Sequence, residues 1–377
     1  MTIQTDVAAI AERFSADRPA RQLRRHLDPE DFRALAEAGF LHTGVPREMG
    51  GLWSDIPGST RGVAELLRVL AKGDPSVALV AAMHPAVLSF WLTLQDPPAE
   101  FATGWSEQQR IVAQTALDGA WWGTITSEPG SGGDVGRSRT QATRRPGGYS
   151  ITGQKHFGSG SGIASYMITT AVAEGEDAAD WFYLDLRDTA WDGSNGMKLI
   201  AEWDGHGMIA TQSHAFQFTD FPVTRLAWPG NLRAVSTTSG AIVSSVFTAV
   251  IVGVVQSAVE AARAQLTRRA ATLAPFEQTE WVRVENEAWL IDQAYEGMLQ
   301  SVERKGAAAA LDTLHAKLAV SELSESVTSR ICRVIGGGSF HRSSPFGWAF
   351  EDVRALGFLR PPWVFEFDSI LNQVFPK

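Results

Sequence analysis

The chain has 377 residues, of which 44% are hydrophobic and 20% charged, so it can bury a large core and is expected to form two or three packed subdomains. Its formal net charge of −9 argues against general nucleic-acid binding, because that function needs a basic surface. The single cysteine, Cys332, excludes a disulfide framework and a cysteine metal site, and the histidine spacing is not that of a metal site, so we expect no metal.

Signals for targeting and membrane insertion are weak in this sequence. The first six residues lack the basic and apolar regions of a signal peptide, and the cytoplasm is therefore the expected location. The longest apolar run, residues 241–255, contains three hydroxyl side chains and is shorter than the ~20 residues that a membrane helix needs. We expect a buried helix there and no membrane partner.

Helical periodicity dominates residues 1–118. Phe32 and Leu35 fall on one helix face, and apolar residues recur at the same spacing through the region. The Asp-Pro-Ser sequence at residues 74–76 is typical of an N-cap and a first helical turn, and an apolar helix follows it. His84 is the only titratable residue on that helix after its cap. We therefore predict an N-terminal α-helical domain over residues 1–118.

Two glycine-rich strand ends characterise residues 119–230, which we predict to be a central β-domain. A strand-like segment, residues 121–126, runs into Ser-Glu-Pro-Gly-Ser-Gly-Gly-Asp at residues 127–134, and the chain returns through an alternating segment at residues 149–161. Glycine lets a backbone approach a flat ligand, and hydroxyl and N–H groups at these ends can meet the edge of a heterocycle such as isoalloxazine. The alternative is that both glycine runs are simple tight turns.

Residues 231–377 return to helical spacing and are predicted to form a C-terminal α-helical bundle. Small and apolar residues, among them Val246, Val250 and Val254, form a long stripe suited to close helix packing. Such a stripe packs either within a bundle or between subunits. Two further helices are expected within residues 277–302 and 306–335.

Three segments of the β-domain carry a family resemblance. The octapeptide at residues 127–134 resembles the Thr-Glu-Pro-x-x-Gly-Ser-Asp signature of the acyl-CoA dehydrogenase superfamily of flavoproteins, and Gly-Gln-Lys-His-Phe at residues 153–157 resembles its Gly-x-Lys-x-Trp/Phe signature. A third segment, residues 203–223, has the spacing at which that family ends its β-domain. The resemblance implies an α+β fold with an N-terminal helical domain, a central β-barrel-like domain and a C-terminal helical bundle, with a flavin between the last two.

The sequence departs from the dehydrogenases at the catalytic base. An acyl-CoA dehydrogenase needs a carboxylate to remove the α proton of a thioester, but Arg360 falls near that position, and an arginine is not a base at neutral pH. The family's other base position corresponds to residues 242–245, which contain no acid. Glu366 and Asp368 remain as displaced candidates. A plain dehydrogenase is therefore disfavoured.

Two features resemble the flavin-dependent monooxygenase branch of the superfamily. The spacing of His84 from its Asp-Pro-Ser helix start resembles dibenzothiophene monooxygenase and its relatives, in which the matching histidine faces the flavin. The Phe-Gly-Ser-Gly run at residues 157–160 is closer to the Phe-x-Ser-Gly pattern of this branch than to the Trp-Ile-Thr-Asn pattern of the dehydrogenases. The resemblance implies oxygenation by a flavin C4a-hydroperoxide, with His84, Ser159 and His341 as the catalytic hydrogen-bond donors.

The resemblance also implies the binding residues. The Arg-x-x-Phe-Gly motif by which the family holds FAD across a subunit boundary keeps its arginine as Arg269 but not its Phe-Gly pair, and Arg333 replaces a glutamine ahead of the glycine turn. Both arginines can bind flavin phosphates, and helix-end surface positions are the alternative. The implied cofactor-binding residues are Thr124, Thr126, Ser127, Gly132, Gly133, Phe157, Ser159, Arg269, Arg333, Gly336 and Gly337. The implied substrate-binding residues are Arg360 and Trp363, and three more tryptophans are expected near the cavity: Trp121, Trp122 and Trp348.

We therefore predict an FAD-dependent oxidoreductase, most simply a monooxygenase, that acts on an aromatic, cyclic or acyl-thioester small molecule. FAD is bound, or reduced FAD or FMN is supplied by a separate flavin reductase; an electron-transfer protein is the other candidate partner. A homodimer or homotetramer is expected from the family. The alternatives are an acyl-CoA dehydrogenase with a non-standard base, and a non-catalytic scaffold that lost its base.

Overall fold

The computed structural model describes residues 2–375 of the chain. Helices fill its first third. They are α1 (Ile3–Ala16), α2 (Arg18–Arg21), α3 (Pro29–Glu37), α4 (Ile56–Gly73), α5 (Pro75–Thr93) and α6 (Ala99–Leu117). Asp74 begins α5 because its side chain accepts the N–H of Val77 at 3.0 Å, and Pro75 in the first turn has no N–H that would need a partner. Since α5 is apolar all round, it is buried along nearly its whole length.

The strands form a closed ring in the middle of the chain. They are β1 (Trp122–Thr124), β2 (Gln141–Arg145), β3 (Gly148–Gly158), β4 (Tyr166–Ala173), β5 (Ala179–Asp185), β6 (Met197–Ala201) and β7 (His214–Arg225). β4 pairs in parallel with β1 and β2 along one edge and antiparallel with β5 along the other. β2 then pairs with β3, β3 with β7 and β7 with β5, which closes the ring, while β6 adds to β7. Phe182, Phe216 and Phe218 fill the ring's interior.

Helices return after the strands. They are α7 (Leu232–Thr267), α8 (Pro275–Lys305), α9 (Ala310–Ile335), α10 (Pro345–Val353) and α11 (Trp363–Val374). α7 runs through the largest apolar core and packs closely on α4, where a Cβ added to Gly253 would lie 2.2 Å from the carbonyl oxygen of Arg68. The small residue at that position lets the two helix backbones approach. This architecture confirms the predicted α+β fold with two helical regions around a β-barrel.

Two helices within the described residues, α5 and α7, are long and apolar enough to cross a membrane by length and composition alone. In each, 83% of the most apolar window is buried inside the protein. Core helices of water-soluble domains pass the same test, and the burial identifies both as core helices here. The predicted buried helix at residues 241–255 lies inside α7.

Candidate active site

A cavity of about 760 Å³ lies where the β-domain meets the two helical regions. One side, the β-domain wall, consists of lining residues between 124 and 133 and between 156 and 159. The opposite side, the C-terminal wall, belongs to residues 351–362, while α5 contributes Met83 and α7 contributes Phe247. Small-molecule sites typically have volumes of roughly 300–1,000 Å³, so this cavity is the candidate active site.

A buried ion pair holds the β-domain wall in place. Lys155 Nζ donates to Glu128 Oε1 at 2.5 Å, and the two side chains are 0% and 5% exposed. Glu128 also accepts hydrogen bonds from the hydroxyls of Ser138 and Thr140 and from the N–H of Arg139, at 2.5, 2.7 and 2.6 Å. Burial acts to raise the pKa of Glu128, but the charge of Lys155 and these hydrogen bonds outweigh it and lower the pKa to about 2. The two signature segments thus meet in one ion pair, which fixes the glycine loop to β3.

A chain of three hydroxyls, all on residues that line the cavity, begins at Ser159. The hydroxyl oxygens of Ser159 and Ser213 are 2.6 Å apart, those of Ser213 and Thr211 are 2.7 Å apart, and Thr211 donates to the carbonyl of Met208 at 2.8 Å. Because a carbonyl oxygen only accepts, the Thr211 proton points to Met208, the Ser213 proton to Thr211 and the Ser159 proton to Ser213. Ser159, which lines the cavity, therefore offers it an acceptor and not the donor that the sequence led us to expect.

Seven of the predicted cofactor-binding residues line this one cavity. They are Thr124, Thr126, Ser127, Gly132, Gly133, Phe157 and Ser159. Gly132 and Gly133 have φ values of +63° and +85°, and a Cβ added to Gly132 would meet no atom within 4 Å, so the loop leaves open space above its backbone. Phe157 also has a positive φ, +58°, and its ring packs edge-on against Trp203 at the mouth of the cavity. The two glycine-rich strand ends are thus brought together, as predicted.

Arg360 reaches across the cavity from the C-terminal wall to the β-domain wall. Its Nη1 donates to the carbonyl of Gly133 at 2.9 Å and its Nη2 to the hydroxyl of Thr126 at 2.6 Å. Burial lowers the pKa of Arg360 to about 10, partly offset by the negative charge of Asp134. The guanidinium remains charged at neutral pH. The structure thus places this predicted substrate-binding residue at the cavity.

The cavity also contains a buried polar atom that is left unpaired within residues 2–375. His156 lines the cavity, and its Nε2 is inaccessible to solvent and has no hydrogen-bond partner. A buried nitrogen of this kind is unfavourable unless a bound molecule satisfies it. The aromatic rings, hydroxyls and open glycine backbone of the cavity together fit a planar heterocycle with polar edges, which is the chemistry of a flavin ring.

Comparison with known proteins agrees with this geometry. Residues 123–221 match the family model for the acyl-CoA dehydrogenase middle domain. Dibenzothiophene monooxygenase of Mycolicibacterium goodii is 26% identical, over 92% of this chain and 87% of that protein. Amino sugar nitrososynthase DnmZ of Streptomyces peucetius is 28% identical, over 88% and 82% of the two chains. FMN-bound TdsC from Paenibacillus sp. A11-2 superposes with a TM-score of 0.80 at 19% identity, covering 99% of this chain and 97% of that one.

The chain has the acyl-CoA dehydrogenase fold. Similarity along almost its whole length to a monooxygenase and a nitrososynthase confirms the resemblance to the monooxygenase branch of the superfamily, and with it the prediction of an oxidoreductase. The FMN bound by TdsC agrees with the prediction of a flavin. TdsC has also been solved with FMN and indole, at a TM-score of 0.79 and 20% identity over 99% and 96% of the two chains.

Within the described residues, every carboxylate that lines the cavity is in an ion pair. Two acids line it: Glu128, which is tied to Lys155, and Glu351, whose Oε2 accepts from Arg354 at 2.7 Å. The displaced candidates are elsewhere. Glu366 is fully buried 3.0 Å from the equally buried Lys317 and does not line the cavity, and Asp368 is exposed on α11. Neither displaced candidate is therefore placed to act as a base in this cavity.

His84 does not line the cavity, so the structure gives no support to its predicted role as a catalytic donor. Its Nε2 donates to the carbonyl of Leu41 at 2.9 Å, and its Nδ1 accepts the N–H of Trp122 at 3.2 Å. Burial lowers its pKa to about 4, so the ring is neutral. Both ring nitrogens are used by backbone groups, and the ring links α5 to the start of β1. The preceding residue, Met83, reaches the cavity instead.

Two further predicted site residues lie outside the cavity. His341 is on an exposed loop after α9, where its Nδ1 bonds to the hydroxyl of Ser343 at 2.7 Å, so it is not a catalytic donor of this chain's cavity. Trp363 begins α11 and packs on Gly357 and Phe358, so it supports the C-terminal wall from behind and does not line it. Neither a histidine in a polar loop nor a tryptophan beside a helix has a local sequence pattern that shows whether its side chain lines the cavity.

The predicted phosphate-binding cluster is also away from the cavity within one chain. Arg269 donates to Glu277 at 2.7 Å and to the carbonyl of Val334 at 3.0 Å, so it joins the start of α8 to the end of α9. Arg333 is 60% exposed, and Gly336, with φ of +82°, ends α9 ahead of a short turn that Gly337 begins. A flavin contact by this cluster would have to come from a second subunit. In one chain, these four residues stabilise helix ends.

Sequence reasoning missed several residues that do line the cavity. The aromatic residues are Phe90, Trp181, Trp203 and Phe247, whereas Trp121 and Trp122 are buried in the cores beside it and Trp348 lines a separate, smaller cavity. His156 was adjacent to a recognised motif. The alternation of side chains along β3 could have identified His156 as a cavity residue. Its neighbour Lys155 points inward, so His156 points to the opposite side, where the cavity lies.

Proposed function

We propose that this chain is a flavin-dependent monooxygenase that oxygenates an aromatic, cyclic or acyl-thioester small molecule in the cavity. The observation that carries the proposal is the state of the acids: Glu128 is held by Lys155, and Glu351 by Arg354, so neither is free to remove a proton from a thioester. The similarity to dibenzothiophene monooxygenase supports the same choice. In the reaction, one oxygen atom of O₂ enters the substrate and the other leaves as water, with two electrons and two protons supplied.

The β-domain wall would hold the flavin. Thr124, Thr126, Ser127 and the open backbone of Gly132 present hydroxyls and N–H groups to a ring edge. A bound reduced flavin supplies the electrons that activate O₂. The chain's own residues position the ring, exclude water with aromatic walls, and accept one hydrogen bond at Ser159 Oγ. These assignments are supported by their shared position on one cavity.

The proposal includes partners and location. Reduced FAD or FMN would come from a separate flavin reductase, which is supported by the loss of the aromatic part of the FAD motif and by the ion pair of Arg269 with Glu277. A homodimer or homotetramer is supported by apolar side chains exposed on α8 and α11, such as Trp289 and Phe367. A cytoplasmic location remains a prediction, supported by the single cysteine.

The dehydrogenase alternative needs a carboxylate base. Glu351 is the one cavity-lining acid in the described chain whose ion pair is partly exposed. Its salt bridge to Arg354 is partly exposed, with side chains 32% and 46% accessible, so an acyl-CoA could displace it. Desaturation would remove two hydrogens from the substrate and add no oxygen. The scaffold alternative requires that flavin does not bind at all.

Isotope labelling under ¹⁸O₂ distinguishes these functions. The protein is mixed with photoreduced FMN and either indole, dibenzothiophene or a medium-chain acyl-CoA, and products are analysed by mass spectrometry. We expect one ¹⁸O atom in the product of a cyclic substrate, with the same result in Glu351→Gln. A product lighter by two hydrogens, free of ¹⁸O and lost in Glu351→Gln, would establish the dehydrogenase. Failure to bind either oxidised or reduced FMN would leave the scaffold.

A further inference from the structure

Arg360 is the one cavity-lining arginine in the described part of the chain that lacks a carboxylate partner. Arg354, the other, donates to Glu351 at 2.7 Å. Lys155, which lies behind the β-domain wall, donates to Glu128 at 2.5 Å. Arg360 has only neutral partners, the carbonyl of Gly133 and the hydroxyl of Thr126. The cavity therefore carries one positive charge that has no ion-pair partner, with the nearest stabilising acid, Asp134, outside ion-pair distance.

The neutral partners of Arg360 fix the orientation of its guanidinium and leave some of its N–H groups free to bind a ligand. A guanidinium has five N–H groups in a planar fork, and the bonds to Gly133 and Thr126 use two of them. A buried charge is unfavourable unless it is paired and its hydrogen bonds are made. Three donors and a full positive charge thus remain for a molecule that enters the cavity.

We propose that Arg360 binds the carboxylate of an aromatic substrate in this cavity, an inference that rests on the proposed oxygenase function and specifies its substrate class. The planar fork of a guanidinium matches a carboxylate in geometry. Phe90, Trp181, Trp203 and Phe247 line the same cavity and suit a flat ring. The ring is held by the aromatic walls and the carboxylate by Arg360.

Charge favours a carboxylate over the phosphate of FMN as the partner of Arg360. A phosphate monoester carries about −1.5 to −2 charges at neutral pH, so a single arginine would leave net negative charge in the cavity. A carboxylate carries one negative charge and neutralises Arg360. Since burial lowers the pKa of Arg360 only to about 10, its charge is present at the pH of the reaction.

The test uses a matched pair of probes, 2-naphthoate and 2-naphthamide, which share ring and shape and differ in charge. Their affinities for the whole protein loaded with FMN are measured by calorimetry at neutral pH. Hydrogen bonds to a charged group contribute about 1.5–3 kcal/mol, so we expect naphthoate to bind roughly 10- to 100-fold more tightly than naphthamide. Equal affinity of the two probes for the wild type would overturn the proposal.

The variants separate charge from folding. Arg360→Gln removes the charge and keeps an N–H₂ group for Gly133, so the wall stays tied, and we expect the naphthoate preference to fall to about one. Arg360→Lys retains the charge and should recover most of the preference. The matched control is the double variant Arg354→Gln/Glu351→Gln, which removes a paired arginine together with its acid and leaves no unpaired charge, and it should keep the preference within about two-fold of the wild type.

A second measurement identifies the anion that Arg360 meets. The affinity of FMN is compared with that of riboflavin, which has no phosphate, in the wild type and in Arg360→Gln. We expect the FMN-to-riboflavin ratio to be unchanged. A ratio that falls in the variant would make Arg360 a flavin-phosphate ligand and overturn the substrate assignment while leaving the oxygenase function intact. If neither flavin binds, the oxygenase function fails, and the naphthoate preference, then measured on the protein without flavin, still decides the role of Arg360.

Discussion

The β-domain wall and the C-terminal wall each contain a buried carboxylate, and the two are charged to different degrees. Glu128 has Lys155 at 2.5 Å and several hydrogen-bond donors, and its pKa is lowered to about 2. Burial raises the pKa of Asp352 to about 7, and the negative charge of Asp74 raises it further. The N–H of Met208, which donates to Asp352 at 2.6 Å, and the more distant charge of Arg18 lower the pKa by less than burial raises it. A cation in direct contact, more than burial as such, decides whether the acid is ionised.

The same difference shapes the chemistry of the cavity. On the β-domain wall, Glu128 and Lys155 cancel each other, which leaves a neutral surface of hydroxyls and glycine for a ring. On the C-terminal wall, Arg360 keeps its charge without a carboxylate in ion-pair contact. The first wall is built to be rigid, and the second is built to receive a charged group. The predictions below test this division.

The largest effect is expected from breaking the ion pair of the β-domain wall. Glu128→Gln leaves Lys155 buried with its charge unpaired, and removal of one partner of a buried pair typically costs about 3–5 kcal/mol. The free energy of unfolding should fall by that amount in urea titrations at pH 7. The control Glu351→Gln breaks a rim pair that is partly exposed and should change the value by less than about 1 kcal/mol. Equal effects of the two variants would show that the pair does not anchor the wall.

The two carboxylates should give opposite dependences of stability on pH. The folded-state pKa of Asp352 is raised from 3.8 to about 7, so the folded protein binds the extra proton and stability from this group is lost as pH rises through that window. Asp352→Asn should therefore stabilise the protein at pH 8, by on the order of 2 kcal/mol, and much less at pH 4. The comparison is made by urea titration at both pH values.

Glu128 should give the opposite dependence of stability on pH, and its variant is the control for Asp352→Asn. Its folded-state pKa is lowered from 4.5 to about 2, so its contribution is present above about pH 4.5 and lost as pH falls through that window. Wild type and Asp352→Asn should lose stability in parallel below pH 4.5, whereas Glu128→Gln should show a flatter dependence. A stability curve of Asp352→Asn that parallels the wild type from pH 4 to 8 would contradict the assignment.

A smaller effect is expected from the hydroxyl chain of Ser159, Ser213 and Thr211. Ser213→Ala removes the acceptor of the Ser159 proton, so Ser159 can rotate and donate into the cavity. One hydrogen bond contributes about 1 kcal/mol, so product formed per reduced FMN oxidised should fall about 5-fold, with more hydrogen peroxide released. Ser159→Ala should have an effect of similar size, and the double variant no additional one.

Ser161→Ala is the matched control for this prediction. Ser161 is a buried neighbour whose hydroxyl bonds to the carbonyl of Gly158 and does not line the cavity. Its variant should leave the ratio of product to peroxide unchanged. If Ser161→Ala lowers that ratio as much as Ser213→Ala does, the effect is one of general packing and the directed chain is not responsible.

The smallest effect is expected at Arg269. Its ion pair with Glu277 is 37% and 20% exposed at the two side chains, so Arg269→Ala should lower the free energy of unfolding by less than about 1 kcal/mol. Because the residue is away from the cavity, FMN affinity should match that of Arg263→Ala, which removes a similar exposed pair with Glu285. A selective loss of FAD affinity in Arg269→Ala would instead reveal a flavin contact across a subunit boundary.

The predicted site residues line the cavity where their placement is local in sequence and lie away from it where their placement depends on long-range packing. Gly132, Phe157 and Ser159 belong to strand ends whose turn and alternation patterns are short-range, and they line the cavity as expected. His84 has the expected spacing on α5, but its orientation depends on carbonyl and N–H groups that come 43 residues before it and 38 after it. Sequence spacing gives a position along a helix and does not give the partner that a side chain finds.

The sequence by itself determined the order of the elements and the identity of the glycine-rich strand ends, because helix caps, alternation and positive-φ positions are set by neighbouring residues. It also determined that an arginine, Arg360, stands where the family places a base. Only the tertiary structure decided which charges are cancelled. Lys155 meets Glu128 across 27 positions, and Arg360 meets Thr126 and not an acid across 234, so the folding of the β-barrel against the C-terminal wall leaves one positive charge for a ligand.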